Sequence, residues 1–296
     1  MPKPDAAPPG DIPADWLRPD WPAPAHVHAL CTTRAGGVSA APFDRLNLGD
    51  HVHDDPAAVH ANRAVLARAL AAGGAATRPV FLRQVHGVDV HALQPDTPHG
   101  TEADACTADA PGVACTIMVA DCLPVLFTDR QGTRVAAAHA GWRGLAGMAG
   151  RGVLEAVVES FGASAQYQPA QSAIKSEAKL ASTSLDPGDL MVWLGPCIGP
   201  TAFEVGAEVR TAFCAHDPAA QVHFIPQGEG KFLADLAGLA RQRLLALGIR
   251  CVHGNDGSTA WCTVSQPSRF FSHRRDTAAL GGSGRFAACI WLGALH

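Results

Sequence analysis

The sequence predicts an α+β fold, and three observations lead there. Strand-like segments cluster along the chain instead of alternating regularly with helices. Helical patterns intervene at irregular intervals. No shift in composition along the 296 residues marks a boundary between domains, so residues 26–296 are expected to form one domain. Residues 1–25 are rich in proline, with Trp16, Leu17 and Trp21 as apolar anchors, and read as an extended N-terminal arm.

Composition excludes several function classes. The chain is 47% hydrophobic and 17% charged, enough for a sizeable core. A net charge of −4 gives no electrostatic footprint for nucleic acid or an anionic membrane. No apolar run approaches the ~18–20 residues that span a bilayer. No protein partner is called for. Nine cysteines, an odd number without any C-x-x-C, and an N-terminus lacking an apolar signal core point to free thiols and a cytoplasmic location.

The elements follow in order. His26–Thr33 alternates as a strand and turns at Arg34-Ala35-Gly36-Gly37. His26/His28 and His51/His53 are H-x-H pairs, able to ligate a metal from one face or simply to sit on the surface. Asp54-Asp55-Pro56 opens a helix with a capping carboxylate and a first-turn proline, and Val59, Arg63, Leu66 and Leu70 continue it to Gly73-Gly74. Val80–Leu93 reads as two strands broken at His86-Gly87, where a bulge would aim His86 unusually.

Leu123–Phe127 and Val135–Ala138 form a hairpin about Asp129-Arg130-Gln131-Gly132. Gly144–Phe161 is expected to be a helix. Residues 163–188, rich in Ser, Ala and Gln, are expected to be a surface insertion. Leu190–Leu194 is a buried strand leading into Gly195-Pro196-Cys197-Ile198-Gly199-Pro200. Glu204–Ala215 and Lys231–Leu247 read as helices, Ile249–His253 as a strand, and Phe286–Leu292 as the last strand after a glycine-rich turn.

The hairpin carries the chemistry. A turn symmetric about Arg130/Gln131 places Cys122 directly opposite His139, with Cβ atoms roughly 5 Å apart. A one-residue slip would put them on opposite faces. The pair suits a metal, with zinc or copper favoured over magnesium or calcium. It equally suits a thiol nucleophile activated by imidazole, or a buried Cys beside a core His. Spacing does not name a third ligand. After His139, Ala140-Gly141-Trp142-Arg143-Gly144 runs from strand into helix, so Arg143 and the amides near Gly144 are candidates for an anion site.

Several motifs together resemble the laccase-domain family, named both as multicopper polyphenol oxidase and as purine nucleoside phosphorylase. They are Arg83-Gln84-Val85-His86-Gly87, Ala120-Asp121-Cys122-Leu123-Pro124-Val125, His139-Ala140-Gly141-Trp142-Arg143-Gly144 and Gly195-Pro196-Cys197-Ile198-Gly199. Thr33–Ser39, Asn47-Leu48-Gly49, Asn62-Arg63, Glu204-Val205-Gly206, Cys262-Thr263, Phe271–Asp276 and Gly284-Arg285 extend the match from about Trp16 to the C-terminus. The 163–188 stretch departs from the family pattern, as do His53 and His273.

The resemblance implies a single-domain mixed β-sandwich flanked by helices, similar to the catalytic domain of cytotoxic necrotizing factor. It implies one zinc held by His86, Cys122 and His139, with copper as the other metal. The implied activities are phosphorolysis of adenosine, inosine, guanosine and methylthioadenosine, and deamination of adenosine, so the expected partners are purine nucleosides and phosphate. Cys122 and His139 then belong to the catalytic centre, and Arg34, Arg63, Arg143 and Arg274 become candidates by motif membership. Other readings are a copper-dependent polyphenol oxidase, a Cys/His thiol hydrolase or peptidoglycan-precursor editing factor, and a zinc-stapled binding protein. A multicopper oxidase needs a trinuclear cluster fed by several H-x-H pairs, and the two present lie away from the hairpin.

Overall fold

The computed structural model describes residues 12–71, 76–163 and 186–294. The first and last strands of the sequence meet in one sheet. β1 (Val27–Cys31) runs antiparallel to β13 (Phe286–Leu292). β13 in turn runs antiparallel to β5 (Val113–Val119), and β2 (Arg78–Phe81) adds to β5 in parallel.

A second sheet has six strands in the order β12 (Cys251–Gly254), β8 (Leu190–Leu194), β6 (Leu123–Asp129), β7 (Val135–Ala140), β4 (Ala105–Ala108) and β3 (Val90–Ala92). Its outer pairs are parallel and its inner pairs antiparallel. A small antiparallel sheet joins β10 (Phe224–Gly228), β11 (Lys231–Ala234) and β9 (Glu204–Gly206).

Side-chain alternation with a period of two stacks these layers. In β13, Phe286, Ala288 and Ile290 face the six-stranded sheet, while Ala287, Cys289 and Trp291 face α1 (Pro56–Ala71). Leu126, Val135 and Ala137 meet the first set from the second sheet. On that sheet's other face, Leu123, Val125, Phe127, Ala136 and Ala138 pack under α3 (Val153–Ala163), α4 (Ala207–Cys214) and α5 (Leu236–Ala246). The result is the expected mixed β-sandwich with helices on both outer faces. Phe270, Phe271 and Phe286 are fully buried between the sheets. Each such side chain contributes about 1.5–3 kcal/mol, so the inter-sheet layer is a firm platform for anything at its edge.

α1 begins where expected, with the Asp55 carboxylate accepting the Ala57 N–H at 2.9 Å and Pro56 in the first turn. The Gly73-Gly74 helix stop and residues 164–185 of the expected insertion lie outside the described residues. Three helices differ from expectation. The Gly144–Phe161 helix is split into α2 (Trp142–Ala146) and α3, because Gly147 takes φ 62° and any Cβ there would meet the Arg151 carbonyl at 2.0 Å.

Lys231–Ala234 is strand, not helix. It is held between β10 and β9, and α5 starts only after Asp235, whose carboxylate accepts the Gly238 N–H at 2.8 Å. By the same pairing, Glu204–Gly206 is strand, and α4 starts at Ala207. α6 (His273–Leu280) falls where the sequence pattern suggested no helix. Ser272 accepts the Arg275 N–H while Asp276 accepts the Ser272 N–H, a reciprocal cap that organises its first turn.

Candidate functional site

The hairpin register differs from the symmetric one by two residues. Leu123 pairs with Ala140 and Pro124 with His139, so Gly141, not His139, lies across from Cys122. The turn is longer because Asp129 pairs outward with Leu190 of β8 and its carboxylate accepts the Thr133 N–H at 2.7 Å. A slip of two preserves the face. Cys122 and His139 therefore remain together, diagonally, on the inter-sheet side at the end of the sandwich.

Gly141 makes this arrangement fit. A Cβ at that position would stand 2.8 Å from His86 Cδ2 and 3.0 Å from Cys122 Sγ. The space a side chain would fill holds the His86 ring instead. His86 Nε2 lies 3.7 Å from Cys122 Sγ, and the His86 and His139 rings stand edge to face at 4.7 Å. The ligating atoms of His86, Cys122 and His139 all lie within 4.8 Å of one another. Among the described residues no other group of three His, Cys, Asp or Glu side chains converges in this way.

Asp104 organises the cluster, and the sequence reading missed it. It sits beside β4 with no exposed surface. Its Oδ1 accepts from His139 Nδ1 at 2.8 Å and from the His86 N–H at 2.9 Å, and its Oδ2 accepts the Val85 and Gly87 N–H groups at 3.1 and 2.7 Å. The Asp104 backbone carbonyl also accepts the His139 N–H at 2.7 Å. One carboxylate thus fixes the His86 turn, where φ is 63°, and fixes the His139 tautomer that leaves Nε2 free. Ligating histidines are oriented in this way. The only sequence signal is a single acid inside the run Ala103-Asp104-Ala105-Cys106.

Asp121 plays the matching part for the thiol. Its φ is 90°. Its carboxylate accepts from Thr263 Oγ1 at 2.6 Å and from the Arg274 N–H at 2.7 Å, and its carbonyl accepts the Ile198 N–H at 2.9 Å. The separate motifs around Cys122, Cys197, Cys262 and Arg274 converge on this residue.

Electrostatics follow from the contacts. Burial pushes the Cys122 thiol up, but the His139 charge and the hydrogen bonds from both histidines outweigh it and bring the thiol to about 6. Burial lowers His139, yet the Cys122 and Asp104 charges raise it to about 9. Asp104 is lowered: burial opposes ionisation, and the His139 and backbone hydrogen bonds overcome it. Without a metal, these opposing directions favour a thiolate beside a protonated His139 near neutral pH, with Asp104 as the orienting carboxylate. Two imidazoles and a thiolate converging on one point are also a donor set suited to zinc or copper.

The cluster lies in the wall of a cavity of about 700 Å³. Of the expected residues, Arg63, Arg143 and Arg274 line it with His86, Cys122 and His139. Arg34 does not. Its Nε donates to the Asp44 carbonyl at 2.8 Å, its guanidinium pairs with Asp44 at 3.3 Å, and it covers the Phe271 ring.

Gly144 is buried away from the cavity, where its missing side chain admits the Gly87 carbonyl; a Cβ would meet that oxygen at 2.7 Å. Its role is close packing, and α2, with five residues, is too short to focus a helix dipole on an anion. His26 contacts the Gly132 carbonyl at 3.0 Å and His28 stacks on Trp291, so neither reaches the cluster. His51 does line the cavity, beside Asp50, while His53 is exposed. Arg83, His273 and Arg285 also line it; the sequence named Arg83 and Arg285 only within motifs and His273 only as a departure, none of them as a site residue.

Comparison with known proteins places this architecture. The chain is 52% identical over 279 residues to a purine nucleoside phosphorylase of Pseudomonas aeruginosa, covering 94% of this chain and 98% of that one. It is 45% identical over 274 residues to the Escherichia coli purine nucleoside phosphorylase YfiH, covering 93% and 97%. A crystal structure of a Neisseria meningitidis protein superposes with a TM-score of 0.79 at 42% identity, covering 95% of this chain and all of that one. The family described as multi-copper polyphenol oxidoreductase laccase matches residues 28–176 and 170–293, and the chain belongs to that family.

Proposed function

We propose that the protein is a zinc-dependent purine nucleoside phosphorylase that also deaminates adenosine. The observation that carries this reading is a His86–Cys122–His139 cluster in the wall of a cavity that also presents several arginines. Relatives named purine nucleoside phosphorylase, with chain coverage above nine-tenths, support it. The nucleosides proposed are adenosine, inosine, guanosine and methylthioadenosine.

In phosphorolysis an oxygen of hydrogen phosphate forms a bond to ribose C1′ as the C1′–N9 bond breaks. The bonding electron pair leaves with the purine, and the proton of the phosphate ends on the base. The residues of this chain that serve the step are those that hold the anion and neutralise its charge. A bound zinc ion would supply Lewis-acid polarisation at the His86, Cys122 and His139 end. Asp104 holds His139 in the tautomer that can ligate, and Asp121 holds the turn that presents Cys122.

Zinc is favoured over a multicopper assembly by the ligands themselves. Among the described residues there is one convergent group of three, and the H-x-H pairs contribute nothing to it. A second reading is a thiol hydrolase, favoured by the Cys122–His139–Asp104 chain and the lowered thiol.

The test is purified protein with inosine and phosphate, alongside His86→Ala. The expected result is phosphate-dependent release of hypoxanthine and ribose 1-phosphate, about one zinc per chain, and loss of both in the variant. Absence of hypoxanthine from inosine and of inosine from adenosine, at full zinc occupancy, would overturn the proposal.

A further inference from the structure

Five arginines line the cavity, and their partners divide them. Arg63 donates Nε to the Leu48 carbonyl at 2.9 Å, lies 3.1 Å from Asp50 and covers the Phe81 ring. Arg83 is paired with Glu102 at the exposed rim. Arg274 donates to the Glu204 carbonyl at 3.1 Å and is exposed. Arg143 lies over Trp142 and is likewise exposed. Water and salt screen the charges of the exposed Arg83, Arg143 and Arg274, while Arg63, less exposed, already has Asp50 as its ion-pair partner.

Arg285 is held differently. Its side chain crosses Gly49, where a Cβ would stand 2.8 Å from Arg285 Cγ. Its Nη1 donates to the Ser283 and Gly284 carbonyls at 2.9 and 3.0 Å. Its backbone N–H donates to Asn47 Oδ1 at 2.8 Å, and its carbonyl accepts the Leu48 N–H at 2.9 Å. The residue is therefore fixed at both ends.

No carboxylate among the described residues is within ion-pair range of Arg285. Nε and Nη2 have no protein acceptor there, and neither is sealed off from solvent. Burial pushes this guanidinium down, against the opposing effect of the Cys122 and Asp121 charges nearby. Arg285 thus lines the same cavity as the ligand cluster and the Asp50–His51 wall: an oriented, half-buried guanidinium with a free edge and, among the described residues, no carboxylate in ion-pair range.

We propose that Arg285 seats the phosphate co-substrate, beside Cys122 and facing the Asp50–His51 wall. The inference rests on the phosphorolysis reading for the identity of the anion. A planar guanidinium presents two parallel N–H groups that match two phosphate oxygens. Its fixed stem means little side-chain freedom is lost on binding. Arg143, exposed at the rim, serves approach of the anion and not its final seat.

The experiment titrates inorganic phosphate calorimetrically into zinc-loaded, full-length protein, wild type and Arg285→Met, and measures inosine phosphorolysis in parallel. The expected result is a phosphate Kd and KM raised about tenfold or more in the variant, with the KM for inosine within about threefold and zinc content unchanged. Arg285→Lys keeps the charge and loses the fork. If the Met variant does not fold, a rise of about threefold or more in phosphate Kd for the Lys variant supports the seat.

Wild-type phosphate affinity in the Arg285 variants overturns the proposal. So does phosphate binding abolished by Arg143→Met and kept in Arg285→Met, or a wild-type protein that binds no phosphate. If wild type binds phosphate through Arg285 yet releases no hypoxanthine, the nucleoside reading fails and the seat stands. If phosphorolysis proceeds with an unchanged phosphate KM in both variants, the seat fails and the reading stands.

Discussion

Asp104 Oδ1 lies 2.8 Å from His139 Nδ1, directly across the strand pair, and the same carboxylate ties down the backbone of residues 85–87. Two of the three proposed ligands thus share one buried anchor. Asp104→Asn keeps the shape and removes the charge. Its expected effect is a zinc affinity about 10–100-fold weaker, measured by competition with a chromophoric chelator. Asp104→Ala strips four donors of their acceptor at a fully buried site, and urea melts should show a loss of about 3–5 kcal/mol.

The thiol of the metal-free protein should titrate low. With Cys122 brought to about 6 by His139 and His86 against the opposing effect of burial, its thiolate fraction rises with pH and levels off near neutrality. Iodoacetamide labelling of Cys122, followed by mass spectrometry, should climb roughly tenfold per pH unit below 6 and be flat from about pH 7 upward. In His139→Ala burial acts almost unopposed, so the rise should move above about pH 8.5. Bound zinc should protect the thiol at neutral pH and above, where its ligands are deprotonated. A labelling profile identical in the two proteins would contradict the pairing.

Gly141→Ala tests the space that the ring of His86 occupies. The added methyl would press on His86 and on the sulfur, so the expected outcome is loss of zinc affinity by tenfold or more together with a stability loss of about 1–3 kcal/mol from overpacking. Gly144→Ala would press instead on the Gly87 carbonyl. Stability should fall, and zinc should be affected only through the position of His86.

Asp121→Ala removes the acceptor for Thr263 Oγ1 and the Arg274 N–H and leaves alanine at φ 90°. Strain of this kind costs about 1–3 kcal/mol. The Cys122 turn should loosen, with faster amide exchange over residues 120–123 and a weaker metal site, while α1, on the far side of the four-stranded sheet, keeps its protection.

Much of the site was legible from local pattern. Two apolar runs around a turn were enough to bring Cys122 and His139 to one face, although the pairing is diagonal. The shift came from Asp129, whose pairing with Leu190 depends on a strand sixty residues away that no local pattern reveals. The break at His86-Gly87 was visible, but the left-handed residue is His86 itself, because the amides of residues 85–87 turn around a carboxylate that arrives from Asp104. Asp104 has neither periodicity nor motif; only the rule that a buried charge needs partners marks it.

Elsewhere the misreadings share a cause. Lys231–Ala234 and Glu204–Gly206 have compositions a helix accepts, and they are strands because each supplies the other's hydrogen bonds. Gly144 shares a motif with the cavity residues His139, Trp142 and Arg143, and Arg34 belongs to the same set of motifs, yet neither lines the cavity. Motif membership does not separate a residue that touches ligand from one that supports the frame. Arg285 showed the reverse: its distinction lies in the carboxylate it lacks, which no sequence window displays.

The turn at 129–134 joins two of the proposed ligand strands, yet it does not set their alignment. β6 is clasped by β8 and β7 by β4 along their outer edges, so each strand keeps its position independently of the link between them. The chain could therefore begin and end within this turn. A circular permutant opened between Arg130 and Gln131, with the native termini joined by a linker, should still assemble His86, Cys122 and His139 from what are then opposite ends of the polypeptide.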